Sequence, residues 1–321
     1  MTLGAQDHEG GPTVDALAPL RCSGSCTAFH PQFPVSCGAA LPTVGAMASQ
    51  VLIEDFYPYS YTPEARYGHG RPVHAQIDAV LAASRARYAE ILSAFADLTP
   101  DFLRIPAQES DARAGQPYWC NGWLPGLDAA TLYGFIAAFK PKLYCEVGSG
   151  HSTRFAAEAK RVHSPYTHIL SIDPAPRAEI AALADTRVDR PLQDCDPALF
   201  ALLEPNDIFF LDGSHRVLQN SDVSVFFLEV LQVLKPGVVI HIHDIFWPAD
   251  YPPHWQARMY SEQYMLGLLL LYAADKFEVL MPNAWVSKQP ALKALLDPLW
   301  NAPAVQGIAA GGGGFWMRKR A

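Results

Sequence analysis

After Pro141 the chain alternates short apolar runs with segments of helical spacing, and this alternation restricts the fold more than any other feature of its 321 residues. The strand-like runs are LYCEVG, HILSID, DIFFLD, VVIHIHD, FEVLMP and GFWMRK. Between them the spacing predicts helices from Ser152, near Arg177 to Leu183, from Ser221 to Leu234 and around Glu262 to Ala274. Alternating β and α units with uninterrupted apolar strands give a mostly parallel sheet covered on both faces. The expectation for residues 141–321 is therefore an α/β, doubly wound, Rossmann-like sheet with helices on both faces. Ligands of such sheets bind beyond the carboxyl ends of the strands.

The part before Pro141 reads differently. Residues 1–48 are rich in Gly, Pro, Ser, Thr and Ala without a sustained apolar period, which is the pattern of a flexible leader. Residues 49–140 are expected to form an N-terminal helical and aromatic extension. It begins with the extended stretch Tyr57 to Tyr67. A long helix follows from Val73 to Leu98, with Ile77, Leu81, Tyr88, Leu92 and Phe95 on one face. Asp128 is placed to cap a further helix whose apolar positions begin at Leu132 and Tyr133.

Charge and hydropathy exclude some partners. The net charge is -8 and the basic cluster Arg318, Lys319 and Arg320 is short, so nucleic acid is not expected. The longest apolar run, Met265 to Ala274, is about half of the ~20 residues a membrane-spanning helix needs. The first residues lack a charged region followed by an apolar stretch, so a cytoplasmic location is the expectation. Cys120, Cys145 and Cys195 sit among apolar neighbours and read as core thiols. Cys22, Cys26, Cys37 and His30 are too loosely spaced for a convincing zinc site.

The most informative stretch is Leu143 to Phe155, LYCEVGSGHSTRF. An apolar strand ends in Glu146, turns through Gly148, Ser149 and Gly150, and enters a helix at Ser152 and Thr153. Glycines there allow a tight turn and close approach of a ligand, and Glu146 can accept a hydrogen bond from an amine. Asp173 ends the next strand, where a carboxylate can take both hydroxyls of a ribose; the alternative is a helix cap before Pro174. The acid before the glycines and the missing third glycine separate this turn from the dinucleotide fingerprint. Here the chain resembles the class I S-adenosylmethionine-dependent methyltransferases, from Pro141 to Lys319, including a closing GGGGFWMRK like the family's terminal hairpin strand. The resemblance implies S-adenosylmethionine as cofactor, with Glu146 and Gly148 at its methionine end, Asp173 at the ribose and Asp194 at the adenine amine. Asp194 reads as well as a surface loop acid.

Two further strand ends, FFLDGSH and VVIHIHD, bring Asp212, His215, His243 and Asp244 to the same edge. His241 lies roughly 6.6 Å deeper along its strand and reads as an interior histidine. A divalent cation held by Asp212, His243 and Asp244 would fix and acidify an acceptor hydroxyl. This arrangement resembles metal-dependent small-molecule O-methyltransferases of the catechol and macrolide-sugar types, which hold magnesium with acids at these strand ends. A histidine in place of an acid suits zinc, iron or manganese better than magnesium. His215 resembles the base of the macrolide-sugar enzymes, with an ordinary pKa of ~6.5 that suits proton removal near neutrality. The other reading leaves the acids as helix caps and the histidines as hydrogen-bonded loop residues.

Tyr118, Trp119, Asn121 and Trp123, with Trp247, Tyr251, His254 and Trp255, supply aromatic loops that either bind an acceptor or pack the extension onto the sheet. Together these features imply an enzyme that O-methylates a small molecule or sugar, with homo-oligomerisation left open. A metal-dependent hydroxylase or hydrolase of the cephalosporin hydroxylase-like kind on the same fold, and a non-catalytic cofactor-binding protein, are the alternatives.

Overall fold

The computed structural model describes residues 63–175 and 182–320. The leader, most of Tyr57 to Tyr67, the early cysteines with His30, and most of the helix expected near Arg177 to Leu183 lie outside these residues.

Seven strands form one sheet in the order β3-β2-β1-β4-β5-β7-β6. They are β1 Leu143–Val147, β2 His168–Ile172, β3 Thr186–Val188, β4 Ile208–Leu211, β5 Val239–Ile242, β6 Phe277–Pro282 and β7 Phe315–Lys319. The strands β1 to β5 pair in parallel, and β7 runs antiparallel between β5 and β6. The first five follow the doubly wound order expected from the alternation of strands and helices. Strands β4 (IFFL) and β5 (VIHI) are buried at every position, as a sheet covered on both faces requires.

Register sets the site. Ile172, Val147, Leu211 and Ile242 are neighbours across β2, β1, β4 and β5. The next residue on each strand is Asp173, Gly148, Asp212 and His243, so these four stand side by side at the carboxyl edge. Phe315 of β7 pairs with Ile242, which brings Gly314 beside His243.

One hydrophobic cluster runs from Ile77 to Met317, so residues before and after Pro141 share a core. The helix Gly126–Phe139 is buried from Gly126 through Ile136, and the helix His151–His163 is amphipathic. Phe135 lies against Trp316 of β7 with ring centres 4.6 Å apart, and His241 stacks on Phe210 at 3.9 Å. Removing a buried ring such as Phe210 costs about 3–5 kcal/mol in cores of this kind.

Three details differ from expectation. The helix expected from Val73 to Leu98 is two helices, Ala75–Ala82 and Arg85–Ala96, because the chain turns at Ser84, whose carbonyl starts the second helix by accepting from Tyr88 N. Asp128 lies inside the first turn of Gly126–Phe139, behind an N-terminal Pro125, and its carboxylate points to other partners. The segment after Ser221 holds a π-helical turn, Phe226–Val230, between Asp222–Val225 and Leu231–Val233. Of the three later cysteines, Cys145 is buried, while Cys120 and Cys195 are half-buried.

Candidate active site

A cavity of about 390 Å³ opens at the carboxyl edge of β1, β2 and β4, lined by Gly148, Ser149, Gly150, Ser152, Asp173, Gln193 and Asp212, with Trp123 and Leu124 from the N-terminal part. Gly148 has φ +80, and a Cβ there would stand 1.8 Å from the Asp212 carbonyl oxygen, so only glycine fits. Nothing lies within 4 Å of a Cβ built on Gly150, which leaves open space where the helix His151–His163 begins. The turn is tied to β2: Ser149 N–H donates to Asp173 Oδ2 at 2.7 Å, and Ala175 N–H donates to Asp173 Oδ1 at 2.7 Å. The Asp173 carboxylate thus holds the turn while bordering the cavity.

Two of the expected cofactor residues sit behind this wall. Glu146 is fully buried and accepts from Tyr144 Oη at 3.0 Å, from Ser152 Oγ at 3.2 Å and from Thr153 Oγ1. Burial pushes its carboxyl up to about 7, against the hydroxyls that favour the ionised form. The helix carries Ser152 and Thr153 on the face turned to β1, so Glu146 and Thr153 fasten the turn and do not line the cavity. Asp194 ends a short turn, Leu192–Asp194, with its side chain exposed and away from the cavity. Its neighbour Gln193 lines the cavity, and the buried Gln193 Oε1 has no hydrogen-bond partner.

Beyond Asp212 the edge becomes a network of acids and imidazoles. His215, held at φ +59, turns Nε2 to Asp212 Oδ1 at 3.2 Å and to Asp244 Oδ2 at 3.6 Å, and Nδ1 to Glu262 Oε2 at 2.9 Å. His243 turns Nδ1 to Asp244 Oδ1 at 3.4 Å and to Asp212 Oδ1 at 3.6 Å, and Nε2 to Asp128 Oδ2 at 3.3 Å. Each imidazole therefore lies between acids on both sides. Asp128 in turn accepts from Gly313 N and Gly314 N at 2.8 Å and from Asn283 Nδ2 at 2.7 Å. The loop carrying His215 is pinned by Asp222, whose carboxylate accepts from Ser214 N at 2.7 Å and from Ser214 Oγ.

This setting decides the charges. Burial alone would lower both histidines, but Asp212 and Glu262 hold His215 well above its ordinary range, and Asp212, Asp244 and Asp128 raise His243 to about 10. Burial opposes ionisation of Asp212, yet His243 and His215 hold it well below the usual carboxylate range. Burial raises Asp244 against the pull of His243 and His215, and raises Glu262 against His215. His215 is thus not the base of ordinary pKa that its sequence position suggests, because two carboxylates bracket it. His241 is buried between Phe210 and Trp316 and held neutral by burial and by the charge of His243, as an interior histidine.

Asp212, His243 and Asp244 come together as expected. Among the described residues, however, no three His, Cys, Asp or Glu side chains form a preformed metal centre. The ring nitrogens of His215 and His243 face carboxylate oxygens at 2.9 to 3.6 Å. The sequence reading missed Glu262, Asp128, Asp222 and Gln193. Glu262 follows Ser261 at a helix start and signals no more than a first-turn acid, and Asp128 reads as a cap. The aromatic residues divide: Trp119 is buried against Phe102, Phe155 and Trp300, while Trp123 is exposed at the cavity rim. Among the described residues no helix is long and apolar enough to cross a membrane.

Residues 145–245 match a family profile described as a methyltransferase domain. A curated protein of Archaeoglobus fulgidus, described as uncharacterized, is 30% identical over 128 residues, which are 38% of this chain and 56% of that protein. The chain thus spans little more than half the length of that relative. Among solved structures, the O-methyltransferase TomG from Streptomyces achromogenes, in complex with SAM, is 15% identical, with 60% of this chain and 79% of that chain covered at a TM-score of 0.33. The O-methyltransferase from Bacillus cereus, in complex with SAH, is 14% identical, with 77% and 99% covered at a TM-score of 0.37. Both overlays are too loose to carry a functional inference.

Proposed function

We propose that the chain, whose residues 145–245 match a methyltransferase domain profile, transfers the methyl group of S-adenosylmethionine to a hydroxyl oxygen of a small molecule or sugar. The observation that carries this reading is the cavity itself: a glycine turn, a helix start, a strand-end carboxylate and an unpartnered buried amide oxygen share one wall. These features fit the cofactor. The first amides of the helix His151–His163 suit its carboxylate. Asp173 keeps lone pairs free for the ribose hydroxyls, and Gln193 Oε1 suits the adenine amine in the role expected of Asp194. S-adenosylmethionine, when bound, supplies an electrophilic methyl group.

The chain's own residues handle the proton. The acceptor hydroxyl comes to His215 Nε2 between Asp212 and Asp244. There the imidazole, once neutral, would take the hydroxyl proton as the oxygen accepts the methyl group that bound S-adenosylmethionine would supply. Glu262 holds Nδ1–H, so a neutral His215 carries its lone pair on Nε2, the atom turned to Asp212 and Asp244. A cytoplasmic setting, expected from the sequence, belongs to the same reading.

A second reading keeps a metal, because the facing atoms of His215, His243, Asp212 and Asp244 are 3.2 to 3.6 Å apart. Two imidazoles and two carboxylates fit a first-row transition metal and do not fit magnesium, and the cation would have to displace the imidazolium protons. Calorimetric titration with S-adenosylmethionine and with a nicotinamide dinucleotide, followed by metal analysis, tests both. Failure to bind S-adenosylmethionine or its demethylated product ends the methyl-transfer reading.

A further inference from the structure

Beside His215 a run of aromatic rings leads outward and ends on a guanidinium. Tyr260 lies over the His215 imidazole with ring centres 4.5 Å apart. Trp255 meets Tyr260 edge to face at 5.7 Å, and Phe246 meets Trp255 in the same way at 5.2 Å. Phe246, Trp255 and Tyr260 each keep part of their surface open, and the buried Tyr251 backs the group. Arg258 lays its guanidinium over Trp255 at 3.9 Å and stands 5.6 Å from the Tyr260 ring. Arg216, the residue after His215, donates Nε–H to the Arg258 carbonyl at 2.8 Å, so two cations share this edge.

Among the described residues neither Arg216 nor Arg258 lies within ion-pair distance of a carboxylate, whereas Arg71, Arg87, Arg104, Arg161 and Arg187 each do. Both cations therefore stand near the acidic network without a carboxylate partner among the described residues. A guanidinium resting on an indole keeps its in-plane N–H donors free, and that fork matches a carboxylate or a phosphate. A single ring, Tyr260, separates the guanidinium from the imidazole, which is the span of a ring-bearing small molecule.

We propose that the acceptor is an anionic ring compound whose carboxylate or phosphate pairs with Arg258 and Arg216 while its ring lies along Trp255 and Tyr260 and its hydroxyl reaches His215. The inference rests on the methyl-transfer reading and names the substrate class for it. Asp212 and Asp244 repel an anion at the inner end, so the charge decides which end of the acceptor enters.

The test uses the full chain loaded with S-adenosylhomocysteine and a panel of hydroxylated ring compounds in three-membered sets: neutral, carboxylated and phosphorylated. Binding is read by saturation-transfer NMR and calorimetry at two salt concentrations. The anionic members bind about tenfold or more tightly than their neutral partners, a preference that fades with salt. Arg258→Gln and Arg216→Gln together remove the preference without changing S-adenosylhomocysteine affinity, and the two anionic arms tell carboxylate from phosphate. Equal binding of neutral and anionic members, a preference that survives in the double variant, or no binding by any member while S-adenosylhomocysteine binds would overturn the proposal. Loss of S-adenosylhomocysteine binding in the unaltered protein would instead overturn the reading beneath it.

Discussion

His215 and Glu262 are tied to each other twice: the His215 carbonyl accepts the Glu262 amide N–H at 3.1 Å, and the Glu262 carboxylate meets His215 Nδ1 at 2.9 Å. The first bond starts the helix Glu262–Tyr272, and the start of that helix delivers the second. An acid that looks like helix punctuation thereby becomes the partner of the candidate base.

That pair sets a pH dependence. Asp212 and Glu262 hold His215 in its charged form, so the neutral imidazole gains population only as pH climbs above ~6.5. Methyl transfer should therefore rise with pH across that range. Glu262→Gln removes a negative charge, lowers the pKa of the imidazole and moves the rising limb to lower pH. A limb that stays in place in this variant would remove His215 as the proton acceptor.

Asp173 gives a binding prediction. Asp173→Ala should weaken S-adenosylmethionine binding by about 1–3 kcal/mol, through the lost ribose acceptor and the loosened Ser149 turn. Calorimetry on the purified variant measures it, and unchanged affinity would take Asp173 out of the site.

The two glycines of the turn should behave differently. Gly148→Ala drives a methyl group into the Asp212 carbonyl and should yield little folded protein. Gly150→Ala has room for its methyl group in the cavity and should melt near the wild-type temperature while binding the cofactor less well. Equal stability of the two variants would show that the turn can shift to admit a side chain.

Glu146 links stability to pH. Its carboxyl is raised from 4.5 to about 7, so the folded state holds the proton more tightly than the unfolded chain does. The associated stability is fully present below pH 4.5 and is lost as pH rises through 7, a change of ~3 kcal/mol. Denaturant unfolding of wild type and Glu146→Gln at pH 5 and pH 8 should show the wild type losing ground to the variant at the higher pH. Parallel behaviour would mean that the hydroxyls around Glu146 compensate its burial completely.

If His215 alone accepts the proton, activity should survive dialysis against a chelator and the protein should carry no stoichiometric transition metal. Stoichiometric metal, with activity lost on chelation and cofactor affinity intact, would favour the metal reading. Elemental analysis and activity on the same preparation decide it.

The parallel order and the strand-end row were legible because period and apolarity report burial on both faces, and the register then follows from the strands' own ends. Asp173, Gly148, Asp212 and His243 stand where that logic puts them. Glu146 was misplaced because strand position locates a residue along the chain but not the wall its side chain faces. Asp194 and Gln193 differ by one position in a short turn, and a single step there exchanges solvent for cavity. Glu262 and Asp128 were invisible as partners because their contacts cross long stretches of sequence that no local spacing encodes.

The Asp128 carboxylate also couples the end of the chain to the acidic network. It faces His243 from one side and is held on the other by the amides of Gly313 and Gly314 and the side chain of Asn283. The backbone amides that fix this acid come from the loop just before the last strand, far along the chain from Asp128 itself. Losing the chain from Gly313 onward would therefore loosen Asp128, the acid that faces His243 Nε2.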